Sequence, residues 1–139
     1  MEKPSLTMAQ QVAEAAAVFE KQRTGHAPQA VTVVLGVETL VITLHGALSP
    51  AERALAQTPE GAVQVQDFHR QLFNDSADWL RQEIKRITGV AVREAKAEIE
   101  TTTGTVVQVF STGTVVQVYL LASGISAETW KGSGIVNES

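Results

Sequence analysis

The sequence predicts an α+β fold, and three observations carry that prediction. An alanine-rich stretch near the N-terminus repeats its apolar residues at helical spacing. Two short β-branched runs stand on either side of a two-residue link. A long helical stripe is then followed by strand-like sequence that is written twice. The expected order is an N-terminal helix, a β-hairpin, a short helix plus a long helix, then C-terminal antiparallel strands. These strands are expected to form one mixed or antiparallel sheet packed by the helices. Residues 1–122 are read as a single domain and 123–139 as a flexible C-terminal tail.

The first helix is expected from about Leu6 to Gln22. Leu6, Val12, Ala15, Ala16 and Phe19 recur on one face, with Glu14, Glu20 and Lys21 placed off it. Arg23-Thr24-Gly25-His26-Ala27-Pro28 ends it, since glycine and proline interrupt helical geometry. Val31–Gly36 and Thr39–Gly46 then read as a hairpin closed by Val37-Glu38. That pair is poor chemistry for a primed turn, which favours Asn-Gly or Asp-Gly.

Leu48-Ser49-Pro50-Ala51-Glu52 opens the next helix. Ser49 suits the N-cap, Pro50 the first helical position, and Glu52 can close a capping box. Pro59 interrupts that helix through its effect on Thr58. The longer helix runs from about Pro59 to Thr88, with Val65, Phe68, Leu72, Trp79, Ile84 and Ile87 as its apolar stripe and Gly89 as its stop. Asn74–Asp78 in its middle is read as a kink or a fresh N-cap. Val90–Glu100 follows as a strand, with Glu94, Lys96, Glu98 and Glu100 on a wet face and Ala95, Ala97 and Ile99 on the other.

The duplicated phrase is Thr103-Gly-Thr-Val-Val-Gln-Val109, which returns as Thr112-Gly-Thr-Val-Val-Gln-Val118. Each copy has the composition of a strand, and Ser111-Thr112-Gly113 permits a hairpin between them. One reading is a tandem copy that adds a strand to the sheet. The other turns on degeneracy: equal strands specify register weakly, which favours exchange or edge association between subunits. Thr103–Ala122 carries no charge, so a soluble chain should hide it in a dimer or larger assembly. Val107, Val109, Val116, Val118 and Tyr119 are the expected oligomer interface. In the tail, Trp130 is the expected anchor.

Composition excludes several classes. A formal charge of −4 argues against nucleic acid as a partner, and the absence of cysteine removes disulfides and thiolate metal sites. The apolar runs are too short for a membrane span and no export-like leader is apparent, so a cytoplasmic protein is expected. His26, His45 and His69 lack metal-ligand spacing, and no phosphate-binding glycine loop or nucleophile elbow occurs. Each histidine is read as a surface or half-buried residue. No catalytic residue, metal or cofactor is expected, and the protein is read as no enzyme.

In the order and spelling of its junctions, the chain resembles the MpsC-like proteins, a family of small bacterial domains. The resemblance runs from about Leu6 to Leu121. It is carried by the hairpin, by Leu48-Ser49-Pro50-Ala51-Glu52, by Glu60-Gly61, by Arg70 and by Thr88-Gly89. The family commonly has Thr-Gly-Arg-Gly-Pro where this chain has Thr24-Gly25-His26-Ala27-Pro28. Its members end with a single terminal strand, so the second Thr-Gly-Thr-Val-Val-Gln-Val is an addition. The resemblance implies a cytosolic accessory or regulatory module beside a membrane transporter of cations or inorganic carbon. The alternative is a small-ligand or anion sensor using the Thr24–Pro28 turn, with Thr24, Gly25 and His26, together with Arg70.

Overall fold

The computed structural model describes residues 6–112, 118, 119, 121 and 124–131. Its elements are α1 (Met8–Thr24), β1 (Ala30–Leu35), β2 (Thr39–His45), α2 (Pro50–Leu55), α3 (Pro59–Thr88), β3 (Glu94–Glu100), β4 (Thr105–Ser111) and α4 (Ala127–Trp130). The α+β class and the element order follow the sequence.

Local chemistry sets the helix ends. The Thr7 hydroxyl accepts from the Gln10 amide at 3.1 Å while the Gln10 side chain accepts from the Thr7 amide at 2.9 Å. This box starts α1 two residues after Leu6. Gly25 closes the helix in the left-handed region (φ 80°), donating to the Lys21 carbonyl at 2.8 Å. The hairpin closes with Gly36 donating to Thr39 at 2.7 Å. Neither Val37 nor Glu38 has positive φ, so the turn is not of a primed type.

Helix α3 is continuous over 30 residues, with no break at Asn74–Asp78. Ser76 turns its hydroxyl back to the Leu72 carbonyl, satisfying it inside the helix. The buried stripe is Gly61, Val65, His69, Phe73, Ala77, Leu80, Ile84 and Ile87. Phe68 is exposed and Trp79 only partly covered, so the stripe differs from the expected one over its middle turns. Gly61 is required by contact: a Cβ there would stand 1.8 Å from the Leu55 carbonyl oxygen, where α2 meets α3.

The sheet is fully antiparallel with strand order β1-β2-β4-β3. Its helix-covered face presents Leu40, Ile42 and Leu44, then Val106, Gln108 and Phe110, then Ala97 and Ile99. Helices α1 and α3 lie on this face, with Phe19 meeting Phe73 edge to face and Phe73 meeting Phe110 at a tilt. The strand expected from Val90 begins at Glu94.

Strand β4 is the first copy of the duplicated phrase, and it lies between β2 and β3. Both of its hydrogen-bonding sides are therefore occupied. A hairpin between the two copies, as the Ser111–Gly113 link suggested, is excluded by this topology. The strand expected from the second copy lies largely outside the described residues, Val116 included. The opposite face of the sheet holds Val41, Thr43, Val107 and Val109, which share an open groove of about 440 Å³ with Val118, Tyr119 and Leu121. Four of the five expected interface residues thus meet there. Val107 and Val109 are already buried within the chain, and Tyr119 is exposed. In the tail, Trp130 caps a single helical turn and is exposed, so it does not anchor the segment.

A buried glutamate–histidine–glutamate cluster as candidate functional site

The most unusual chemistry of the molecule lies under the sheet. His69 is buried on the inner face of α3, and its Nε2 lies 2.5 Å from Oε2 of Glu52. The other Glu52 oxygen accepts from the Ser49 amide at 3.1 Å, completing the α2 capping box. One carboxylate thus caps α2 and grips α3. On the far side of the ring, Nδ1 stands 3.7 Å from Oε1 of Glu20, which is buried on α1. That separation is too long for a direct hydrogen bond. His69 therefore joins three helices through one imidazole.

The two carboxylates are held apart electrostatically. Desolvation raises Glu20, and the charge of Glu52 adds to it, so its pKa is pushed from 4.5 up to about 7. Desolvation also acts on Glu52. There, however, hydrogen bonds from the Ser49 amide and His69, the charge of His69 and the Ser49 hydroxyl outweigh it and hold the carboxyl below its usual value. Glu52 is the anion that accepts from His69, while Glu20 exchanges its proton near neutrality. A cavity of about 10 Å³ beside them is walled by Glu20, His69, Phe73 and Gln108. Gln108 is almost fully buried, and its Oε1 has no hydrogen-bond partner. A protonated Glu20 supplies a donor to a space that contains an orphan acceptor.

The residues proposed from sequence lie elsewhere. The Thr24 hydroxyl meets the Glu20 carbonyl at 2.8 Å and the His26 amide at 3.1 Å, so it serves the end of α1. His26 Nε2 reaches the Gly46 carbonyl at 3.2 Å, tying the turn to the end of β2. Arg70 faces outward and pairs with Glu98 of β3 at 3.1 Å and with Asp67 at 3.7 Å. Turn and arginine thus serve different partners. The sequence reading missed Glu20 by setting it off the α1 stripe, and His69 by reading it as surface or half-buried where it is buried. A usable signal was present: Glu20 follows Ala16 by four residues and His69 follows Val65 by four, so both continue buried stripes. No cluster of three or more His, Asp or Glu arranged to hold a metal exists among the described residues.

Fold and cluster define a class: a helix-on-sheet α+β module with a proton-exchanging group sealed between its layers. The chain belongs to the MpsC family, described as a Na+-translocating membrane potential-generating system, whose model matches residues 5–113. That match stops at the start of the second copy of the duplicated phrase. The uncharacterized protein YbcI of Bacillus subtilis (strain 168) is 24% identical over 110 residues, spanning 79% of this chain and 89% of that protein. No solved structure matches the chain. No helix among the described residues is long and apolar enough to cross a membrane.

Proposed function

We propose that the protein is a non-enzymatic accessory or regulatory module of a membrane system that moves cations or inorganic carbon. In this reading it works in the cytoplasm, reaches the membrane through a transporter subunit, and associates with itself through its sheet. Its response is to protons. The observation that supports this is the buried Glu20–His69–Glu52 contact, which couples α1, α2 and α3 to the charge state of one carboxyl group. The family's description supplies the membrane context. A bound proton at Glu20 removes a buried negative charge, so neutral and acidic forms differ in how firmly the helices hold one another.

The test is recovery of the tagged protein from membranes of its native host at pH 6 and pH 8. The expected result is a multi-span transport protein in stoichiometric amount, retained differently at the two pH values. Recovery of nothing but further copies of the chain at both values would remove the accessory role. A partner retained equally at both, and by Glu20→Gln as well, would remove the proton response alone.

A further inference from the structure

Among the described residues, the two edge strands of the sheet, β1 and β3, differ in how they are guarded. Gly36 donates to Thr39, and Thr112 donates to the Glu38 carbonyl at 3.3 Å. Antiparallel alternation then sets the main chain of Thr32 and Val34 toward β2, and that of Val31, Val33 and Leu35 away from the sheet. No turn, loop or side-chain hydrogen bond among the described residues caps those outward groups. The strand, Ala-Val-Thr-Val-Val-Leu, has no charge and no proline. Val34 is 57% and Leu35 77% exposed.

At the other edge, β3 alternates Glu94, Lys96, Glu98 and Glu100, and Gln66 donates to the outward carbonyl of Ile99 at 3.2 Å. Arg70 closes over Glu98. Charge and capping side chains are the usual guards against edge pairing, and β3 has both while β1 has neither.

We propose that β1 pairs with β1 of a second copy, antiparallel about a two-fold axis at Val33. This rests on the reading that the chain associates through its sheet, and it names the edge and register. The outward groups are symmetric about that axis: Val33 meets the partner's Val33, and Val31 meets the partner's Leu35. Every unpaired main-chain group of the strand is then satisfied, and two four-stranded sheets become one. The occupant is a second copy because the pattern is its own complement, apolar against apolar and uncharged throughout. On the face opposite the helices, Thr32 stands against the partner's Val34 in the closely spaced, non-hydrogen-bonded position.

The chain has no cysteine, which makes a cross-linking test unambiguous. Thr32→Cys/Val34→Cys is oxidised at micromolar concentration and compared with the wild type by light scattering. Neighbouring positions on one face of a strand lie near 7 Å apart, too far to bridge within a chain. The expected result is a wild-type dimer, a covalent dimer of the double variant, and a folded monomer of Val34→Lys. A wild-type dimer with no cross-link and no response to Val34→Lys overturns the β1 pairing and leaves self-association standing. A wild-type monomer overturns both.

Discussion

His69 and Arg70 are neighbours on α3, one turned into the core and the other toward water, and they meet carboxyl groups in two very different settings. His69 is sealed between Glu52 and Glu20 beneath the sheet. Arg70 reaches over the rim to Glu98, with both side chains well wetted. Water screens the second pair and permits either partner to be solvated alone. The first is largely shut off from water, with Glu20 and His69 buried and only Glu52 reaching solvent, so the two carboxyl groups are pushed to opposite sides of their usual value. A single step along a helix separates a pair that decorates the surface from a group that governs the core.

The largest break of this comparison is His69→Ala. It leaves two carboxyl groups and a void between three helices, and is expected to cost about 3–5 kcal/mol. Chemical denaturation monitored by circular dichroism measures it. A loss no greater than that of Arg70→Ala would mean the cluster is not a structural unit.

The second contrast is pH. Glu20 binds its proton more tightly folded than unfolded, so between pH 4.5 and about 7 the folded state holds the extra proton. Its stabilisation is complete below pH 4.5 and is lost as pH rises to about 7, for a total of about 3 kcal/mol. Glu20→Gln is expected to abolish that slope and to be the more stable chain at pH 8. Parallel stability–pH curves for wild type and variant would contradict the assignment. Glu52 contributes with the opposite sign, since its lowered pKa stabilises above the unfolded value and fails as acid protonates it.

Smaller effects sharpen the comparison. Gln108→Leu removes an orphan acceptor from the cavity beside Glu20, and is expected to be neutral or to stabilise by about 1 kcal/mol at pH 8. A marked loss would show that the amide has a hydrogen-bonding role in that cavity. Arg70→Ala should cost less than about 1 kcal/mol, and the loss should shrink further in high salt. Salt-independent destabilisation would place Arg70 in a tighter network than its exposed pairs indicate.

What was legible in the sequence is what neighbouring residues decide. Ser49, Pro50 and Glu52 specify the start of α2 among themselves, and Val37-Glu38 betrays an unprimed turn. The α3 stripe was misplaced over its middle turns because the buried face carries His69 and the small Ala77, which a count of large apolar residues passes over. Glu20 escapes the same count because it is charged, although it continues the buried Ala16 row of α1, and its partner His69 lies 49 positions away in the chain. The position of β4 was beyond local reading altogether. Nothing in Thr105–Ser111 says that its neighbours are β2 and β3, since pairing of strands distant in sequence is settled by the whole core.

That placement has a consequence for how the chain is made. A central place in the sheet is filled by the last strand among the described residues, which follows the hairpin, both major helices and β3 in the chain. Without β4, β2 and β3 have an unfilled slot between them and the facing sides of their ladders have no partner. A chain cut short before this strand would expose apolar strand edges, the condition in which partly made chains associate. The strand that closes this gap is followed at once by a near-repeat of itself, so any second filler for the slot is delivered only after the first has had its chance.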